Sequence, residues 1–326
     1  MKKTEKTWAA VLLAFAGSMP LGAYAVDYPQ RPVRAVVTFV PGGPTDNIVR
    51  FLAEGLSRKW GQPVVVENKG GAGGMIGGGE IAKARPDGYT FGLLVTGHTI
   101  QPSMQSKLPY DVLKDFAPIS ITNRAPKLVL ARTEFPADNL AQLIELTKAA
   151  PEKYGAYGTS GVGSMAHLAM EQVNQIAGAR FVHVPYKGGS ATLNDLLGGQ
   201  LPLAVLDLAS VLPHVQAGKL KVLAVAGSQR SQLFPEVAIV QESVPGFEAA
   251  EWFGLAAPAG TPPEIVEKIS ADVRELLQTD EAKRLYIDGL GWELVGSTPA
   301  QMQAHIASQV PFWKEIVLRA GLAPNE

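Results

Sequence analysis

The 326-residue sequence predicts an α/β protein of two lobes, each an open, mostly parallel sheet flanked by helices. Three observations lead there. Strand-like β-branched runs alternate with helix-period segments, an order that calls for parallel strands joined by crossover helices. The alternation starts afresh after about residue 125. A chain of about 300 residues also exceeds what a single core usually holds.

Val33 to Val40 is a β-branched run, ended by Pro41-Gly42-Gly43-Pro44. Thr45 or Asp46 stands where a residue would cap the helix that follows, whose apolar positions Ile48, Leu52, Leu56 and Trp60 share one face. Pro63 to Val66 reads as the next strand. A glycine-rich loop from Lys69 to Gly79 then leads to a helix ending near Ala84, and Pro86-Asp87-Gly88 turns the chain into a strand at Tyr89 to Val95. In the second half, Leu128–Ala131, Tyr154–Tyr157, Phe181–Val184, Leu201–Leu206 and Leu220–Ala226 read as strands, with helices at Asn139–Ala149 and Met165–Ile176. Trp252–Ala257 is a strand leading back, followed by helices at Pro263–Leu277, Glu281–Ile287 and Pro299–Arg319. The economical organisation is a discontinuous first lobe, residues 26–125 with 250–326, and a second lobe, 126–249.

Residues 1–25 have the layout of a signal peptide. Lys2, Lys3 and Lys6 precede an apolar stretch from Trp8 to Ala16, and Ala23-Tyr24-Ala25 fits a small-x-small cleavage site, so export to the periplasm with cleavage after Ala25 is expected. The apolar stretch is well short of the ~20 residues that span a bilayer. The chain has no cysteine, which excludes disulfides and a lipid-modified N-terminal Cys. A net charge of −1 gives no sign of a nucleic-acid partner, and no Lys/Arg-rich amphipathic stretch points to a membrane surface.

Two similar constructions carry the chemistry. In each, a strand ends in small residues that open directly into a helix: Val40-Pro41-Gly42-Gly43-Pro44-Thr45-Asp46, and Tyr157-Gly158-Thr159-Ser160-Gly161-Val162-Gly163-Ser164. Helix N-termini present unpaired N–H groups and partial positive charge, which suits an anion, and glycines let it approach the backbone. Thr45, Thr159, Ser160 and Ser164 add hydroxyls. Loops of this kind facing each other across a cleft would hold a carboxylate without arginine; the same residues also make ordinary caps and turns.

Rival chemistries fail on spacing. There is no G-x-x-x-x-G-K-[ST], and the Gly71/Gly73 frame has Ile76 at the last position of G-x-G-x-x-G. Gly158-Thr159-Ser160-Gly161-Val162 misses the nucleophile elbow. His98, His167, His183, His214 and His305 form no ligand spacing for a metal. No cofactor and no catalytic residue is therefore expected. His98 follows the Tyr89–Val95 strand, where α/β sheets place ligand sites, and Asp207 ends an apolar run as a cleft residue or a helix cap. Asp46 and Arg50, four apart, suit a helix ion pair. Phe39, Trp252 and Phe253 are core aromatics or stacking surfaces for an aromatic acid.

At this point the chain resembles the Bug-type receptors, the substrate-binding proteins of tripartite tricarboxylate transporters, over nearly all of the mature part. The resemblance rests on motifs in order: Tyr28-Pro29-x-x-Pro32, Pro41-Gly42-Gly43-Pro44-Thr45-Asp46 with Arg50, Gly61-Gln62-Pro63 through Asn68, and Gly71-Ala72-Gly73-Gly74. It continues in Pro86-Asp87-Gly88-Tyr89-Thr90, Leu108-Pro109-Tyr110-Asp111, Asp115-Phe116-Ala117-Pro118-Ile119 and Ser160-Gly161-x-Gly163-Ser164-x-x-His167-Leu168. Val184-Pro185-Tyr186-Lys187-Gly188, Gly218-Lys219-Leu220 and Ala257-Pro258-Ala259-Gly260-Thr261-Pro262 complete it. Thr38 departs from the usual Pro before the Phe of the first strand, and Val237-Ala238-Ile239 replaces the common Val-Pro-Thr.

The resemblance implies a two-lobed periplasmic-binding fold of the Venus-flytrap kind that closes on a small carboxylate: a di- or tricarboxylate, an amino acid or an aromatic acid. It implies ligand contacts at Gly42, Gly43, Thr45 and Asp46 from one lobe and Ser160, Gly163 and Ser164 from the other, with Thr96, Gly97, His98 and Asp207 tuning specificity. It further implies a monomer, not an enzyme, that delivers its ligand to membrane transporter subunits; a sensor subunit serving a signalling partner would look the same in sequence, and a periplasmic enzyme on a similar α/β scaffold is the remaining alternative.

Overall fold

The computed structural model describes residues 28–248 and 250–324, so the expected signal peptide and its cleavage site lie outside the described residues. The strands are β1 Val33–Val37, β2 Val64–Asn68, β3 Thr90–Val95, β4 Phe116–Ala125, β5 Lys127–Arg132, β6 Ala156–Thr159, β7 Val182–Pro185, β8 Leu203–Asp207, β9 Leu220–Ala226, β10 Glu251–Pro258 and β11 Glu293–Leu294. The helices are α1 Pro44–Trp60, α2 Met75–Ala82, α3 Thr96–Met104, α4 Leu140–Ala149, α5 Pro151–Tyr154, α6 Met165–Ala177, α7 Gly189–Leu197, α8 Leu208–Gln216, α9 Val240–Ser243, α10 Pro263–Leu277, α11 Asp280–Ala282 and α12 Pro299–Arg319.

Two sheets form, in the orders β11-β4-β10-β3-β1-β2 and β7-β6-β8-β5-β9. Each is mixed, where the sequence predicts mostly parallel sheets. In the first, β1 pairs in parallel with β2 and β3, while β10 runs antiparallel to both β3 and β4. In the second, β6 pairs in parallel with β7 and β8, while β5 runs antiparallel to both β8 and β9. The reversal has one cause in both sheets. β5 and β10 are the strands on which the chain enters a lobe from the other one, so they start at the edge where the parallel strands end. Ten-residue β4 has no counterpart among the elements expected from sequence. Its Ser120, Thr122 and Asn123 are fully buried between β10 and β11, and such polar residues hide the strand's apolar pattern.

Helix starts follow their capping residues. Asn139, Ser164 and Thr298 each accept a hydrogen bond from the N–H three residues on. Helix α1 departs from expectation: Pro44 is its first residue and Gly43 its cap, with Thr45 and Asp46 inside the first turn. The lobes are also tied together by helices. Met302 and Ile306 of α12 pack on the first sheet beside Trp252, whereas Trp313, Ile316 and Val317 belong to the core of the second lobe. Ile100 of α3 joins that second core as well.

Candidate functional site

Open α/β sheets present ligand sites beyond the carboxyl ends of their parallel strands. Here those ends supply Phe39 and Val40 after β1, Thr96 after β3, the 160–164 loop after β6, and Asp207 at the end of β8. The entering strands contribute their first residues at the same edge, Lys127 from β5 and Glu251 from β10. Two adjoining cavities fill the cleft between the lobes. One, of about 540 Å³, is lined by Gly97, Ile100, Met104, the whole Ser160–Ala166 segment and Ala72–Gly73. The other, of about 300 Å³, is lined by Val40, Gly43, Pro44, Thr45, Phe253 and Trp292. Phe39, Val95, Lys127, Asp207 and Glu251 are walls of both.

Of the residues expected at a site, Gly43, Thr45, Gly97, Ser160, Gly163, Ser164 and Asp207 line this cleft. Gly42, Asp46, Thr96 and His98 line neither cavity, and each has a structural occupation instead. The Gly42 N–H is donated to Asp46 Oδ2 at 2.9 Å, which removes it as a donor for a ligand. Asp46 is buried and also accepts from Arg50 Nε at 2.8 Å and Asn68 Nδ2 at 2.9 Å. Burial alone would raise its carboxyl, but these bonds from Arg50, Gly42 and Asn68 bring it down to about 2. The expected Asp46–Arg50 pair therefore forms, and its work is to fix the bend that opens α1. Pro44, the first residue of α1, has no N–H, and the Asp46 and Asn47 N–H groups are both donated to the Gly43 carbonyl at 3.1 Å.

Thr96 is fully buried and its Oγ1 accepts from the Trp252 N–H at 2.8 Å. His98 is fully buried, its Nδ1 accepting from Val95 N–H at 3.1 Å, with the ring against Tyr110. Burial pushes it down to about 4, so it is a neutral packing residue. Of the aromatic candidates, Phe39 and Phe253 reach the cleft and Trp252 is core.

The second loop is braced from behind. Thr159 Oγ1 accepts from the Gly161 N–H, Ser164 Oγ accepts from the His167 N–H, and His167 Nδ1 accepts from the Gly163 N–H at 3.1 Å. His167 stacks on His183 with ring centroids 3.7 Å apart, and His183 Nε2 meets Thr159 Oγ1 at 2.7 Å. Gly163, at φ 73°, lies against α3: a Cβ there would stand 2.4 Å from Met104 Sδ. The loop is left with Ser160, exposed, and the start of α6 facing the cavity.

Sequence reasoning missed Lys127 and Glu251. Lys127 Nζ lies 2.5 Å from Asp207 Oδ1 and 2.5 Å from Glu251 Oε2, and its side chain is only 12% exposed. Burial alone would lower its pKa, but attraction to the two carboxylates raises it above the ordinary lysine value and keeps it charged. The readable signal is an isolated charge at the head of a buried apolar strand, after Pro126 in one case and before Trp252-Phe253 in the other.

Two mixed-sheet α/β lobes enclosing a cleft at their strand ends define a periplasmic-binding type of receptor. A sequence model described as the tripartite tricarboxylate transporter family receptor matches residues 48–322. The chain belongs to this family of Bug-type solute-binding receptors. Protein BugT of Bordetella pertussis is 36% identical over 319 residues, 95% of each chain. The structure of R. palustris Rpa4515 with adipate is 34% identical, with a TM-score of 0.78 over 92% of this chain and 100% of that one. MatC from Rhodopseudomonas palustris with bound malate is 29% identical, with a TM-score of 0.73 over 89% and 100%. Among the described residues, no helix is long and apolar enough to cross a membrane.

Proposed function

We propose that this chain is an exported receptor that captures one small carboxylate in the interlobe cleft and delivers it to a tripartite tricarboxylate-type membrane transporter. The observation that carries the reading is the pair of loop-to-helix openings, Gly43–Thr45 at α1 and Ser160–Ser164 at α6, placed on either side of a shared wall. In the present arrangement the two loops line different, adjoining cavities. A modest rotation of one lobe on the other would merge them, so that both helix starts face one anion. The lobes are residues 26–125 with 250–326, and 126–249. Adipate and malate in two relatives support a carboxylate as ligand. On this reading the chain acts as a monomer, catalyses nothing, and begins at Val26 after export.

A thermal-shift screen of Val26–Glu326 against mono-, di- and aromatic carboxylates tests the proposal. Ligand at 100 times its Kd stabilises the native state by about 2.7 kcal/mol. The shift is expected to shrink in Ser160→Ala and Thr45→Ala. Shifts with sugars or polyamines only, and none with any carboxylate, would sink the reading.

A further inference from the structure

The charges of the cleft wall point further. Among the residues lining the two cavities, Lys127 is the only lysine or arginine, and Asp207 and Glu251 are the only acids. The wall thus carries one positive and two negative charges. Lys127 is already committed to both acids and almost enclosed. Asp207 is different: its side chain is 48% exposed, with Oδ1 on Lys127 and its other oxygen given no partner by that pair. The placement is rigid. Lys127 and Asp207 are directly opposed across the β5–β8 ladder, and Glu251 heads β10 where the chain re-enters the first lobe. A ligand held by its carboxylate at the helix starts therefore meets a fixed acceptor with a net negative charge behind it. A second carboxylate at that point would be repelled by the two acids, whereas an ammonium group would be attracted and would donate to Asp207.

We infer that the Lys127–Asp207–Glu251 cluster is the specificity determinant of the cleft, selecting a carboxylate that also carries an ammonium group and rejecting dicarboxylates. The inference rests on the carboxylate reading above. Lys127 is a positioning residue: its ammonium group holds the two carboxylates in place.

Isothermal titration of the mature chain with matched pairs tests it: 4-aminobutanoate against succinate, 5-aminopentanoate against glutarate, and alanine against propanoate. The ammonium-bearing member of at least one pair is expected to bind about 10-fold or more tighter, with a preference that narrows as KCl is raised. Asp207→Asn is expected to remove most of the preference, and Asp207→Asn with Glu251→Gln to turn it toward dicarboxylates. The wild-type comparison stands alone if a variant fails to fold. Dicarboxylates binding as tightly as their amino partners in the wild type would overturn this inference and leave the carboxylate reading intact. Failure of every acid, of either kind, would overturn both.

Discussion

At the scale of single residues, the site depends on side chains that never touch the cleft. Asp46 bonds Gly42, Arg50 and Asn68 at once. Asp46→Ala is expected to cost roughly 2 kcal/mol in urea unfolding, because three hydrogen bonds to a buried, charged acceptor are lost, and to weaken ligand binding in parallel. Its carboxyl sits at about 2, below the unfolded value near 3.9, so its contribution is full above that value and lost as pH falls toward 2. The histidines act earlier. Burial holds His98, His167, His183 and His305 at about 4, with His183 also disfavouring charge on His167 and Arg124 on His305. The unfolded chain takes up these protons near pH 6.5, so stability falls as pH drops from about 6.5 to 4, by at most ~1.4 kcal/mol per pH unit per group. Melting temperatures across that range check this. Removing one histidine of the stacked pair, as in His183→Gln, should flatten the slope.

At the scale of elements, two helix caps make a controlled comparison. Ser164 and Asn139 each cap a helix of the second lobe through a side-chain oxygen. Either residue changed to Ala is expected to lose about 1 kcal/mol, but only Ser164→Ala should also reduce affinity, because only α6 opens onto the cleft. Denaturation and ligand titration of both variants separate capping from binding. Gly163→Ala combines a positive φ with a clash on Met104, and is expected to destabilise by roughly 1–3 kcal/mol. The Met104→Ala background should recover the steric part of that loss and not the backbone part.

At the scale of the molecule, the two lobes are neither independent nor fused. Two strands carry the chain between sheets, and α12 packs its first half on one lobe and its second half on the other. Calorimetry of the wild type is expected to give one transition. Trp313, fully buried in the second core, is the tie most easily cut. Trp313→Ala should cost about 3–5 kcal/mol and split the transition into two, since the first lobe keeps Met302 and Ile306. A single, uniformly lowered transition would show that the tie lies elsewhere.

Most of the architecture was open to reading because it depends on local pattern. The spans Pro263–Leu277 and Pro299–Arg319 emerge as expected, and the two glycine loops do open into helices at the cleft. What local pattern cannot carry is direction and partnership. The antiparallel entry of β5 and β10 follows from which edge the chain crosses, a property of the path between lobes. The same crossing brings together Lys127, Asp207 and Glu251, residues 80 and 124 positions apart from the lysine in sequence, at a point where each alone looks like an unremarkable strand end. Thr96 and His98 stand just after β3, where a ligand contact is expected, but there the chain starts α3 and both turn inward, His98 to the Val95 N–H that precedes the helix and Thr96 to the Trp252 N–H of β10. The sequence by itself marked most of the strands and the longer helices, and the two glycine loops that open into helices, since capping and periodicity act over a few residues. The fold decided which side chains face the cleft and which charged groups meet at its wall, since burial and ion pairing act between segments that meet only once both lobes are formed.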